Sequence, residues 1–145
     1  MIRIDRDIVI ARPPEVVFDY LADVERFPQW QPAIERAERV TPGPLEPGSR
    51  VRLVVRAPTG PTELLGVVDA LERPSLLGVR SQGGPVEVTA RCTIVPEGAG
   101  SRLRLTASID LKGMLRFVEG AARGMIDRQL PITLADLARR IEEGA

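Results

Sequence analysis

The chain has 145 residues, of which 43% are hydrophobic and 28% charged, and its 20 basic residues balance its 20 acidic ones. This composition fits one soluble domain, excludes a disordered or fibrous chain, and gives no electrostatic reason to expect nucleic acid or an anionic membrane as partner. The absence of histidine and the single cysteine, Cys92, exclude an internal disulfide, a cysteine metal cluster and the commonest general base.

The N-terminal segment alternates in polarity and predicts a first strand. Ile2, Ile4, Ile8 and Ile10 share one face, which Arg6 interrupts. A charge at every second residue cannot be the apolar region of a secretory signal, and no apolar run approaches the ~20 residues of a membrane span. We therefore expect a cytoplasmic protein with no integral membrane segment.

Two short helices are predicted next. Pro14 and Glu15 are favourable at a helix start. Asp23 is placed to cap a second helix, which Pro28 should limit. Residues 33–40 lie between Pro32 and Pro42, and this short, bounded segment favours a strand despite its helix-like spacing.

Clusters of proline and glycine then recur every ~10–16 residues, which is typical of a strand meander. Residues 51–55, 86–94 and 103–111 alternate between apolar and polar positions, as half-buried strands do. Residues 64–71 are apolar on both phases, so the sequence leaves the orientation of this strand open.

The tail from about Met114 to Glu142 has the spacing of an amphipathic helix. Pro131 should kink or break it locally. The pairs Arg123–Asp127 and Asp136–Arg140 are spaced for ion pairs on its outer face. The inward stripe consists of Val118, Ala122, Ile126, Leu130, Leu134, Leu137 and Ile141.

This order of elements predicts an α+β fold in which a curved antiparallel sheet of seven strands wraps around the C-terminal helix. An apolar sheet face must be covered, and the long helix is the element large enough to cover it. A strongly curved sheet holding one helix leaves a space between them.

Residues 10–23, followed by 27–32, resemble the N-terminal signature of the START/Bet v 1-like superfamily, and within it the polyketide cyclase/dehydrase and lipid-transport family. The resemblance implies one helix-grip domain over residues 1–145, with a ligand between sheet and helix. It does not fix an activity, because the family includes aromatase/cyclases, lipid and quinone binders and hormone receptors.

Small residues at predicted inward positions suggest where a cavity would lie. Ala90, Cys92, Ala107 and Ala121 either allow close packing of helix on sheet or leave volume for an apolar guest. Cys92 is best interpreted as an inert core residue, because no histidine can activate it.

Polar and aromatic candidates would orient such a guest. Arg6 either meets a ligand or extends past the sheet rim, and Gln129 either meets a ligand or bonds backbone near Pro131. Tyr20 and Trp30 suit a pocket wall or the core. Gln129 and Met125 are expected on the apolar side of the helix, and no cofactor or metal is expected.

Three functions stay open at this point. The first is binding or transport of a hydrophobic molecule such as a polyketide, lipid or isoprenoid. The second is a polyketide aromatase/cyclase or dehydratase that works by positioning, with Arg6 and Tyr20 as candidate groups. The third is binding of a protein partner through the grip. The chain is expected to be a monomer or weak dimer.

Overall fold

The computed structural model describes residues 1–57 and 60–144. Strand β1 (Ile2–Ile10) leads to helix α1 (Pro14–Leu21), a 3-10 turn (Val24–Arg26) and helix α2 (Phe27–Trp30). The remaining elements are β2 (Ile34–Arg39), β3 (Arg50–Ala57), β4 (Gly60–Glu72), β5 (Leu76–Ser81), β6 (Val86–Glu97), β7 (Gly100–Leu111), a second 3-10 helix (Gly113–Val118) and α3 (Glu119–Glu142).

All seven strands form one antiparallel sheet in the order β1-β7-β6-β5-β4-β3-β2. Strands β2 to β7 form a meander, and the last strand, β7, pairs on its other side with the first strand, β1. Helix α3 lies over the inner face and approaches β1 more closely than the other strands. The predicted fold class and the strand over residues 33–40 are therefore confirmed.

The alternating strands present the predicted faces. Ile2, Ile10, Ile94 and Leu103 are at most 2% exposed on the inner face. The convex face carries the charged residues, and many of them form ion pairs across strands, as between Arg104 and Asp5, whose atoms are 2.7 Å apart. The sheet is thus wet on one side and apolar on the other, as the period of two requires.

A β-bulge changes the face of β4 after Val68. Val68 pairs with Val79, but Ala70 pairs with Gly78, so Asp69 is the extra residue. The side chains of Val68 and Leu71 both pack on the core, although they are an odd number of residues apart. One extra residue exchanges the two faces of the strand.

The segment after β1 differs from prediction in detail. Pro14 does start α1. Asp23 precedes only a 3-10 turn, and its side chain makes no capping hydrogen bond; its Oδ2 lies 3.4 Å from Nε of Arg26. Pro28 lies in the first turn of α2, so it helps to start that helix and does not limit an earlier one.

Helix α3 runs through Pro131 without the predicted local break. Arg140 Nε donates to Asp136 at 2.8 Å as predicted. The predicted pair of Arg123 with Asp127 is wrong, because the Arg123 guanidinium lies 3.7 Å from a carboxylate oxygen of Glu119 instead.

Buried apolar residues form two clusters at opposite ends of the helix. The large cluster joins α1 and the C-terminal half of α3 to the sheet, and it includes Phe18, Ile94, Leu134 and Ile141. The small cluster joins the second 3-10 helix to the other ends of the strands and consists of Leu64, Val86, Leu111 and Leu115, with partly buried neighbours.

Candidate functional site

Between the two clusters, the inner face of the sheet carries small, partly accessible side chains. Ala90 and Ala107 are opposite each other on β6 and β7, and within the described residues neither joins either cluster. Both keep part of their surface accessible. We call this region between sheet and helix the hollow; the other partly accessible residues around it are Ile4, Val79, Val88, Cys92, Leu105, Ile109, Ala122 and Ile126.

Cys92 lies on the inner face, where the surrounding protein encloses its thiol. Burial in the protein raises the pKa of its thiol to about 12. The residue nevertheless keeps a partly accessible surface. Cys92 is therefore an enclosed residue of the inner sheet face that keeps a small accessible surface. Such a protonated thiol is not a nucleophile at neutral pH.

The wall of the hollow is apolar. On the inner phase of β4 to β7, the described residues include no ionisable side chain other than Cys92. The Ser81 hydroxyl is satisfied within the sheet, since it donates to the Val86 carbonyl at 3.3 Å and accepts from the Val88 N–H at 2.8 Å. The wall therefore offers dispersion contacts and the exclusion of water, with few polar groups to orient a guest.

Tyr20 and Trp30 lie in the wall region near α1 and α2. Tyr20 is 6% exposed within the large cluster, and Trp30 packs against the same cluster. The Tyr20 hydroxyl and the Trp30 indole N–H are both buried without a hydrogen-bond partner among the described residues. The Arg26 guanidinium lies 4.7 Å above the Tyr20 ring, and the Phe27 and Trp30 rings meet edge to face with centroids 6.1 Å apart.

Two unpartnered donors are costly, at ~1–3 kcal/mol for each buried polar group. Both atoms are covered by protein and do not border the accessible surface of the hollow. The structure thus places Tyr20 and Trp30 in the packed core, with both donors enclosed by protein.

Arg6 occupies the inner phase of β1, but its charged head leaves the interior. Its side chain is 45% exposed, and its guanidinium lies 3.8 Å from a carboxylate oxygen of Asp127 on α3. It also donates to the Asp5 carbonyl at 3.1 Å. Of the two interpretations of Arg6, the structure supports extension past the sheet rim, which avoids the cost of a buried, unpaired charge.

Three predicted site residues on α3 face solvent. Met125 is 58% exposed, and Ala121 and Gln129 are exposed as well. The inward stripe passes through Ile126 and Leu130, and each residue of a helix turns 100° from the one before, so positions 125 and 129 point away. The expected placement of these three residues beside the hollow is therefore wrong.

The convex face holds two shallow grooves of about 580 and 650 Å³. Charged side chains already paired with one another line both, as in Arg102–Asp7 at 2.7 Å and Arg52–Glu38 at 2.8 Å. Neither groove has the apolar wall that distinguishes the hollow, so the hollow is the better candidate site.

Within residues 1–57 and 60–144, no three potential metal-ligating side chains come together. None of the helices in these ranges combines the length and apolarity needed to cross a bilayer.

Sequence reasoning missed part of the wall. The alternation of β1, β6 and β7 places Ile4, Val88 and Ile109 inward, but it does not tell an accessible inner residue from a packed one. Val79 of β5 was not assigned to a face, although its position opposite Ala90 puts it at the centre of the hollow. The accessibility of an inner side chain depends on the distance between α3 and the sheet, and a local sequence pattern does not predict that distance.

A seven-stranded sheet that holds a C-terminal helix over an apolar hollow defines a helix-grip protein. The chain belongs to the polyketide cyclase/dehydrase and lipid transport family, whose sequence model matches residues 1–142. A sequence search of curated proteins gives no match.

Solved structures share the fold at low identity. A START superfamily protein from Mycobacterium smegmatis is 19% identical with a TM-score of 0.78, and 99% of each chain is covered. The ZhuI aromatase/cyclase from Streptomyces sp. R1128 is 18% identical with a TM-score of 0.76, and 96% of this chain and 94% of that one are covered. A protein from Deinococcus radiodurans is 17% identical with a TM-score of 0.78 over 100% of both chains.

Proposed function

We propose that the protein binds a hydrophobic small molecule, of the polyketide, lipid or isoprenoid type, in the hollow. The observation that carries this proposal is the partly accessible, apolar inner wall around Ala90, Cys92 and Ala107. Burial of apolar ligand surface contributes ~25 cal/mol per Å², so useful affinity needs few polar contacts.

The chemistry of the wall favours binding over catalysis. Proton transfer needs a group that changes charge near the working pH. Cys92, with its pKa at about 12, is not such a group. Arg6 pairs with Asp127 at the rim, and the Tyr20 hydroxyl is closed off in the packed core, so the two candidate catalytic groups do not meet in the hollow.

The alternative is an aromatase/cyclase or dehydratase. The fold that this chain shares with the ZhuI aromatase/cyclase is the reason to test it. Such an enzyme would act by folding a reactive chain against the apolar wall, with the Tyr20 hydroxyl as the candidate proton-bearing group. A thioester-linked poly-β-keto mimic distinguishes the alternatives. The same product spectrum with and without protein supports binding alone, whereas a protein-dependent product that Tyr20→Phe abolishes establishes the enzyme.

The binding experiment titrates delipidated protein with the neutral, apolar fluorophore N-phenyl-1-naphthylamine. Ala90→Phe places a phenyl ring in the hollow, and Thr89→Phe adds the same ring at the adjacent exposed position on the convex face. We expect Ala90→Phe to weaken probe binding at least about tenfold and Thr89→Phe to leave it within about twofold.

Circular dichroism and thermal unfolding of both variants separate loss of the site from loss of the fold. Equal probe affinity for wild type and a folded Ala90→Phe variant would reject the hollow as the binding site. Native mass spectrometry after mild purification supplies a second readout, since a retained apolar ligand adds its mass to the wild-type protein alone.

A further inference from the structure

Helix α3 and the turn before it carry a second apolar face that nothing in the described structure covers. Phe117 is 91% exposed, Met114 85%, Ile132 67% and Met125 58%. Ala121 is exposed between them. Large apolar side chains usually face the core, and a contiguous exposed group of them marks an interaction site.

Three of these residues lie on one side of α3. At 100° per residue, Ala121, Met125 and Ile132 point away from the inward stripe, and the span from Ala121 to Ile132 measures ~16 Å along the axis. Met114 and Phe117 precede them in the second 3-10 helix. We call Met114, Phe117, Ala121, Met125 and Ile132 the outer face. A Cβ built on Gly120 meets no atom within 4 Å, which shows that the neighbouring surface is open too.

The charges beside the outer face are basic. Arg116 and Arg128 are exposed and form no salt bridge within the described part of the chain, and the Arg116 charge adds to the hydrogen bond from the N-terminal ammonium in lowering the pKa of the Glu119 carboxyl. The nearby acids are engaged elsewhere: Glu119 accepts a hydrogen bond from the N-terminal ammonium at 2.6 Å, and an Asp127 oxygen lies 3.8 Å from Arg6. The outer face is therefore an apolar strip flanked by exposed arginines that form no salt bridge within the described residues.

This combination selects among possible occupants. In a two-fold antiparallel pairing of α3 with a second copy centred near Ala122, Arg116 of one copy would face Arg128 of the other, and like charges there oppose association. An anionic lipid surface satisfies both features, because the apolar side chains enter the acyl boundary while the arginines meet headgroup phosphates.

We propose that the outer face docks the protein on an anionic membrane surface. Met114 and Phe117 are the inserting side chains, and Arg116 and Arg128 supply the attraction. The zero net charge of the whole chain conceals this local excess, because the ion pairs of the convex face neutralise the rest. Docking would set the helix that covers the hollow directly on the bilayer.

Vesicle flotation tests the proposal with the full chain. We expect the protein to float with phosphatidylcholine vesicles that contain about one third phosphatidylglycerol, and to bind pure phosphatidylcholine at least about tenfold more weakly. Arg116→Gln and Arg128→Gln should each weaken binding about fivefold, and added salt should do the same. Phe117→Ser should weaken it at least about tenfold.

Val95→Ser is the matched control, because Val95 is 51% exposed on the opposite side of the molecule. Circular dichroism checks that each variant is folded. Insertion is measured directly with Phe117→Trp in a Trp30→Phe background, where lipids with brominated acyl chains should quench the fluorescence.

The proposal is overturned if wild type fails to float with anionic vesicles, if Val95→Ser weakens binding as much as Phe117→Ser, or if brominated lipid leaves the tryptophan unquenched. It is also overturned if sedimentation shows a dimer that Phe117→Ser dissociates, since the occupant would then be a second copy.

Discussion

Alkylation of Cys92 measures how well the fold encloses the hollow. The perturbation is treatment of native protein with iodoacetamide at pH 8, followed by mass spectrometry. Burial disfavours the charged thiolate and raises the pKa to about 12. At pH 8 only ~10⁻⁴ of such a thiol is ionised, against about a quarter of a free thiol with a pKa of ~8.5.

The more basic thiolate is also the stronger nucleophile, which recovers a factor of ~40 for a Brønsted slope of ~0.45. We therefore expect native Cys92 to react ~10² times more slowly than the same residue in urea. Because the pKa is raised, the rate should climb ~10-fold per pH unit from pH 8 to 10, where an exposed cysteine would level off.

Thr93→Cys in a Cys92→Ala background is the matched control, since Thr93 is the adjacent exposed residue on the convex face. It should react as fast as unfolded protein. A native Cys92 rate within about fivefold of the unfolded rate, or a rate that levels off near pH 9, would refute the enclosed wall.

Three further predictions concern stability, each measured by urea unfolding with tryptophan fluorescence. Hydrogen bonds from Arg73 at 2.9 Å lower the pKa of Asp19. The pair therefore stabilises the folded protein above the unfolded pKa of ~3.9, and this stability is lost as the pH falls through the lower folded value. The difference in unfolding free energy between wild type and Asp19→Asn should shrink below about pH 4. Gly100→Ala should cost ~1–3 kcal/mol, because its Cβ would lie 2.5 Å from the Ile10 carbonyl oxygen. Gly124→Ala should add ~1 kcal/mol, because it lies inside α3 and its Cβ would meet only the flexible tip of Arg128; an unchanged or lower unfolding midpoint would contradict this.

The sequence predicted well those features that depend on the local spacing of apolar residues. Alternation in β1, β6 and β7 identified the inner phase, because side chains on a strand change face at every residue. The inward stripe of α3 followed from the four-residue steps between Val118, Ala122 and Ile126. The family signature near the N-terminus then identified the fold that combines these elements.

The features that the sequence left open or placed wrongly depend on more than the local alternation of residues. The bulge at Asp69 exchanges the faces of β4, and nothing in the sequence around it marks the extra residue. Placing Gln129 with the inward residues ignored the 100° turn between it and Leu130. Arg6 lies on the predicted phase, but its long side chain carries the charge to Asp127 at the rim, which depends on where α3 passes.

We infer that α3 leaves room over the centre of the inner face because the helix is held at both ends. Its 24 residues form a continuous helix. Leu134 and Ile141 bind one end to the large cluster, and Ala122 packs on the small cluster near the other. Interiors normally fill to high density, so closure over Ala90 and Ala107 would require the helix to approach the sheet and break one of these clusters. The two clusters that stabilise the ends of the fold would therefore also keep space for the proposed ligand between α3 and the centre of the sheet.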